Sequence, residues 1–560
     1  MRRRCVYIML TACGVLSAVL VSLLVITLST SQADAATPRD TVLLALANNQ
    51  GEVLGNYDET TWTGQRFMQF RGIPYAEPPI GSLRFQPPVA RKAWFPKILD
   101  GSTFGQRCPV ITHIDGQLSD AQLEDCLNLC VYTKNLTARQ PVMFYIYGGG
   151  FYNGSAEDHP PHYLLEQDIV LVVPHYRVGA LGWLTTRSKE LPGNAPIADI
   201  LLALDWVQQH IHLFGGNADQ VTIVGQSAGA CVSSALLLSP YRSDENLFHR
   251  AIVQSGSIFA AWATNPNPLA QAQRICVALG CSDTCDSECL QAARVVDILQ
   301  VTQLERFSPI TGDLMGLLPK EANELIKTYK RKVPLLTGFT EHDGSFVLAT
   351  YYDVLCAQMA NISSMSVRQF SQGLINMMND TTGLTDNLLY RLLYTPELLH
   401  SYEHKTALPS YFDLTTITYM KSPVISLATK LYARQTDDTP IYVYSFEYEG
   451  NHTRFGYELD NSYYPFNGGV HHSNDNIYIF ATHHLEEGST DVQIARQMIE
   501  IWTSFVINGE TKHLSSLSSA EGPYNRIDLQ VESANDLLQT LTATIDDPNN
   551  GRLQRDDVEF

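Results

Sequence analysis

The stretch Val221-Thr222-Ile223-Val224-Gly225-Gln226-Ser227-Ala228-Gly229-Ala230 decides the fold. Its first four residues are an apolar run rich in β-branched side chains, which reads as a strand buried on both faces. From Ala228 onward small residues dominate, through Ala230 and Ala235, and lead into Leu236-Leu237-Leu238. That segment reads as a helix packed close to its neighbours. Between strand and helix lies Gly-x-Ser-x-Gly. A tight strand-to-helix turn leaves no room for side chains at 225 and 229, and it lifts the hydroxyl of Ser227 to the N-terminus of the helix. A serine in that position is a candidate nucleophile.

Upstream and downstream, the same alternation repeats. Val142-Met143-Phe144-Tyr145-Ile146-Tyr147 and Ile169-Val170-Leu171-Val172-Val173 are further apolar runs. Ile200 to Ile211 has helical spacing, and Ala251-Ile252-Val253-Gln254 is another short strand. Two later strands are expected at 333–338 and 441–446, and an amphipathic helix at 494–506. Residues 265–330 and 350–435 read as mainly helical insertions. Alternating strands and helices give an α/β class with a central, mostly parallel sheet.

A serine nucleophile needs donors for the oxyanion, a base and an acid that orients the base. Gly148-Gly149-Gly150 directly follows the strand ending at Tyr147, so successive N–H groups can turn toward one point. With the N–H of Ala228 they make an oxyanion hole. In this chain order the acid precedes the histidine. The acid chosen is Asp343, just beyond a strand, with Glu341 as fallback. The base chosen is His472, with His471 as its rival. His159, His162, His483 and His484 are read as surface residues.

The chain has 560 residues and a net charge of -20. The acidic balance argues against nucleic acid, which needs clustered Lys and Arg. Arg2-Arg3-Arg4, an apolar run from about Cys5 to Leu28, and Ala33-Asp34-Ala35 read as a secretory signal or, uncleaved, as a type II signal anchor. Residues 1–35 are therefore assigned to this leader, 36–545 to one catalytic domain and 546–560 to an acidic tail. Either leader places the body on the secreted or lumenal side, and a membrane enters only through the possible anchor. Eleven cysteines in such a compartment favour disulfides over metal. Cys130, Cys231 and Cys356 are read as buried thiols. Asn135, Asn153, Asn361, Asn379 and Asn451 head N-x-S/T sequons, which are used on surface loops; Asn135, Asn361, Asn379 and Asn451 are the glycosylation candidates.

The sequence resembles the type-B carboxylesterase/cholinesterase family over residues 40–510. The residues that carry the resemblance are Phe70-Arg71-Gly72-Ile73-Pro74-Tyr75-Ala76-Glu77-Pro78-Pro79, Glu124-Asp125-Cys126-Leu127, Tyr147-Gly148-Gly149-Gly150-Phe151, Tyr176-Arg177-Val178-Gly179 and Gln254-Ser255-Gly256-Ser257. The resemblance implies the α/β-hydrolase fold, with helices on both sheet faces and helical insertions forming a gorge. It assigns Gly149, Gly150 and Ala228 as oxyanion donors. It implies internal ion pairs Arg84–Glu124 and Arg177–Asp199, a supporting role for Ser255, and bridges Cys108–Cys126 and Cys281–Cys289, leaving Cys276–Cys285 as a possible extra.

Departures from the family pattern are specific. Gln226 stands where the family usually has Glu, a feature shared with juvenile hormone esterases. Asp343 stands where the acid is usually Glu, Cys130 where Asn is usual, and no Trp occupies the cholinesterase choline position near Gly116. The expected activity is serine-dependent hydrolysis of a hydrophobic small-molecule ester through an acyl-enzyme, with no metal or organic cofactor. The rival expectation is a weakly catalytic or inactive adhesion protein at the cell surface.

Overall fold

The computed structural model describes residues 41–282, 285–358, 365–382, 404–435, 439–455, 464 and 466–541. The leader 1–35, the tail 546–560 and the sequon Asn361 lie outside them. Among the described residues, no helix is long and apolar enough to cross a membrane.

Thirteen strands form one sheet. They are β1 (Thr41–Ala45), β2 (Glu52–Glu59), β3 (Arg66–Pro74), β4 (Ile98–Asp100), β5 (Asn128–Thr133), β6 (Gln140–Ile146), β7 (Val170–Pro174), β8 (Gly216–Gln226), β9 (Arg250–Gln254), β10 (Leu335–Thr340), β11 (Ile441–Phe446), β12 (Tyr524–Ile527) and β13 (Val531–Ala534). The main path runs β1-β2-β3-β5-β7-β6-β8-β9-β10-β11-β12-β13, with β4 beside β2. From β7 through β12 neighbours are parallel; the two ends are antiparallel. The fold is that of an α/β-hydrolase. The continuous apolar runs become the central strands because both sheet faces are covered: every residue of β7, β10 and β11 is buried. Each such Val, Ile or Leu removed from water stabilises by about 1.5–3 kcal/mol.

Helices Ala195–His210, Ala228–Leu238 and Thr490–Asn508 follow or flank this core. All eleven residues of Ala228–Leu238 are buried, which explains its lack of a polar stripe. The insertion at 345–416 brings helices Ser345–Gln358, Val367–Thr382 and His404–Thr416. Leu348, Leu374, Ile375, Tyr411 and Leu414 give it a small core of its own. Residues 265–330 are less helical than expected, with short helices at Pro268–Ala278, Ser287–Ala292, Val295–Val301 and Ala322–Leu325.

Three bridges close loops: Cys108–Cys126, Cys276–Cys285 and Cys281–Cys289. Cys130 and Cys231 are buried free thiols, whereas Cys356 is only half-buried. Burial pushes the Cys130 thiol up to about 11. Arg84 reaches Glu124 (Nε to Oε1, 2.8 Å) and Arg177 reaches Asp199 (Nε to Oδ2 2.9 Å, Nη2 to Oδ1 2.6 Å), and all four side chains are buried.

Two further readings are corrected. His159 is no surface residue: it is buried between Tyr145 and Phe480, with ring centroids at 4.7 and 5.0 Å, because its Nδ1 finds the Ser155 carbonyl at 2.9 Å. Asn379 lies within a helix rather than a loop. Asn135 and Asn451 are exposed, and Asn153 is half-buried beside the glycine loop.

Candidate active site

Parallel strands present their C-terminal ends along one edge, and ligand sites gather there. One row crosses the sheet: Ile146 pairs with Gly225, Gly225 with Val253, Val253 with Thr337 and Thr337 with Val443. The candidate residues come from the loops beyond that row. Gly148–Gly150 come after β6, Ser227 after β8 and Asp343 after β10. His472 arrives from the loop after β11.

Ser227 is the hinge between β8 and its helix, at φ 57° and ψ -123°. That conformation is strained for a side-chain-bearing residue. It is held by close packing. A Cβ on Gly229 would run into the Ile146 carbonyl, and one on Gly225 into the Gly229 carbonyl. The Ser227 N–H donates to the Gln254 carbonyl at 2.9 Å. Ser227 keeps 8% of its surface accessible.

The glycine loop abuts Ser227: a Cβ on Gly148 would stand 2.8 Å from the Ser227 Cβ. Gly149 has φ 117° and Gly150 φ 60°, backbone that favours glycine. Ala228 opens the helix, so its N–H has no carbonyl one turn back.

His472 Nδ1 lies 2.5 Å from Asp343 Oδ1. The histidine is 3% exposed and Asp343 fully buried. The other carboxylate oxygen of Asp343 accepts the Thr340 N–H at 3.1 Å. Glu341 is exposed and its carboxylate lies 3.8 Å from His342, so it does not serve His472. His471 Nδ1 meets Ser345 Oγ at 2.7 Å, and burial holds this ring far below the usual imidazole range. On the far side of His472, the Gln226 Nε2 lies 3.2 Å from the histidine Nε2 and donates to Ser473 Oγ at 2.6 Å.

Several residues that anchor the loop carrying His472 were not singled out in the sequence. Asp475 Oδ2 accepts from Gln254 Nε2 at 3.0 Å and from the Tyr444 hydroxyl at 2.9 Å. Trp502 Nε1 donates to Gln254 Oε1 at 3.3 Å, and Asn476 Nδ2 to the Tyr145 hydroxyl at 3.0 Å. The loop carrying His472 is thereby tied to β6, β9, β11 and the helix Thr490–Asn508. Burial raises the Asp475 carboxyl above its usual range, although Gln254 and Tyr444 act the other way. The available signal was two polar residues, Asp475 and Asn476, set directly before the apolar Ile477-Tyr478-Ile479-Phe480. Ser255 has φ 53° and its N–H donates to the Gly338 carbonyl at 2.8 Å.

Aromatic rings pack next to His472. Phe346 is tilted against His472 at 5.0 Å between centroids, and lies 6.4 Å from Tyr419. Trp262 donates to the Tyr419 carbonyl at 2.9 Å and packs against Phe151 at 5.9 Å.

A sequence profile of the carboxylesterase family matches residues 42–545. The chain belongs to the carboxylesterase family. It is similar to Carboxylesterase 1C of Rattus norvegicus (29% identity, 82% of this chain and 84% of the relative) and to Juvenile hormone esterase of Tribolium castaneum (27%, 82% of each). It is also 29% identical to Glutactin of Drosophila melanogaster over 88% of its own length, spanning half of that relative. Among the residues compared this family is one of carboxylic ester hydrolases, and the chain is classed with them. The adhesion alternative finds no favour in these likenesses.

Proposed function

We propose that this carboxylesterase-family chain hydrolyses a hydrophobic small-molecule ester through an acyl-enzyme on Ser227. Ser227 Oγ attacks the ester carbonyl carbon as its proton passes to Nε2 of His472. Asp343 holds the ring with its proton on Nδ1 and stabilises the imidazolium. The N–H groups of Gly149, Gly150 and Ala228 receive the oxyanion. The C–O bond breaks, the alcohol leaves with the proton from His472, and the acyl group stays on Ser227. Water, deprotonated by His472, then releases the acid and restores Ser227. No step calls on a metal or organic cofactor.

The observation that carries this reading is the short His472–Asp343 contact at the same sheet edge as a serine held in elbow geometry. The Phe346 ring against His472, backed by Tyr419 and Trp262, favours an apolar ester. Residues 36–545 act as one catalytic unit, in keeping with a sheet that is continuous from Thr41 to Ala534. Three disulfides suit a secreted or lumenal location.

A fluorophosphonate probe tests the assignment. The proposal expects one phosphonyl group per chain, found on the peptide carrying Ser227 and absent in Ser227→Ala. Labelling at another serine, or none on folded protein, contradicts it.

A further inference from the structure

We propose that Gln226 is a positioning residue for the base: in the resting chain its side-chain amide donates to Nε2 of His472 and holds the neutral ring, its proton on Nδ1, in place until the Ser227 hydroxyl takes over that lone pair. The inference rests on the esterase reading, and it concerns how His472 is prepared.

The argument starts from the proton count on the ring. Asp343 lies 2.5 Å from Nδ1 and is an acceptor, so a neutral His472 carries its proton on Nδ1. Nε2 then offers a lone pair. Gln226 Nε2, 3.2 Å away, is a donor and matches it. The amide has two further neighbours. The same nitrogen donates to Ser473 Oγ at 2.6 Å. The amide oxygen points instead at the glycine loop, 2.7 Å from where a Gly148 Cβ would be. Gln226 is 4% exposed, so water offers it little alternative. One buried amide thereby touches the base, the turn behind the base and the oxyanion loop.

The consequence is directional. A donor facing Nε2 suits the neutral ring and opposes the protonated one, because two N–H groups would then meet. Once Nε2 takes the proton from Ser227, the amide retains Ser473 Oγ as its acceptor. A carboxylate at 226 would do the reverse, favouring the protonated ring by charge and by acceptance. The titratable groups that act directly on His472 are Asp343 at its Nδ1 and His471 and Asp475 in its own loop; Arg454 acts on His471, and Tyr444 acts on Asp475 and Asp343.

The test compares wild type, Gln226→Met and Gln226→Glu by pH profile and by ring-nitrogen NMR. The first readout is the acid limb of kcat/KM for a p-nitrophenyl ester. It is expected to move to higher pH in Gln226→Glu by about one unit or more, with Gln226→Met between it and wild type. The second readout needs no turnover. In ¹⁵N-histidine-labelled protein, the Nε2 resonance missing from His472→Asn should move in Gln226→Met toward that of an unbonded lone pair. An unmoved acid limb with an unmoved Nε2 resonance overturns the proposal while leaving a phosphonylated Ser227 intact. If wild type neither hydrolyses nor labels, the esterase reading has failed. The Nε2 resonance then decides the contact alone: a shift in Gln226→Met supports it, and none overturns it. If Gln226→Glu does not fold, Gln226→Met carries both readouts.

Discussion

At the scale of single residues, the account turns on which carboxylate serves which histidine. Asp343 has no exposed surface and both its oxygens are engaged, one by His472 and one by the Thr340 N–H. Asp343→Asn keeps the shape but presents an amide to Nδ1, which favours the wrong tautomer. Steady-state kinetics should show kcat reduced by about 10³–10⁴-fold with little change in thermal stability. A fall below tenfold would remove Asp343 from its proposed role. The sequence alone offers Ser227, the glycine loop and Asp343 as candidates, because Gly-x-Ser-x-Gly after a β-branched run, a glycine cluster and an Asp beyond a strand each carry a local reason. The choice between His471 and His472 was less so. Adjacent residues share every local signal, and only the path of the chain decides which ring meets Asp343 and which meets Ser345.

At the scale of elements, the turn joining β8 to its helix is built from absences of side chain. Gly229 sits where any Cβ would collide with the Ile146 carbonyl of the neighbouring strand. Neither partner can retreat without unpairing β6 from β8. Gly229→Ala should therefore cost about 3 kcal/mol or more, read as a drop in denaturation midpoint or a loss of soluble protein; wild-type stability would show that the turn has slack. A second element-scale test concerns Cys108–Cys126, separated by 18 residues. Replacing both by Ala releases that loop in the unfolded chain and should lower stability by about 3 kcal/mol, measurable in urea. The central strands were legible because burial on both faces leaves unbroken apolar runs. The antiparallel pairings at the sheet's two ends were not. Strand direction is a property of connections, and 40–135 showed only strands and turns.

At the scale of the whole molecule, buried histidines link the fold to pH, His159 and His175 among them. Burial pushes His159 and His175 down to about 3. His175 Nε2 accepts the Ala156 N–H at 3.0 Å, and Nδ1 lies 3.2 Å from Asn128 Oδ1, so the neutral ring is fully used. The folded chain thus resists a proton that the unfolded chain binds below about 6.5. Stability is complete above that pH and declines as pH falls toward 3, with a slope of up to about 1.4 kcal/mol per pH unit for each ring. Urea midpoints between pH 7 and 4.5 should show the decline, and His159→Phe should flatten it. Identical slopes in the two proteins would contradict the assignment. The sequence could not foresee this, since a histidine looks polar until the aromatic pocket of Tyr145 and Phe480 closes around it.

The central claim is that Ser227 carries an acyl group during turnover. The most direct measurement is rapid mixing of the purified chain with p-nitrophenyl acetate, followed at the release of p-nitrophenol. The account predicts a burst of one equivalent per chain before the steady rate, absent in Ser227→Ala. A wild-type chain that releases product with no burst and reacts equally well as Ser227→Ala would contradict it.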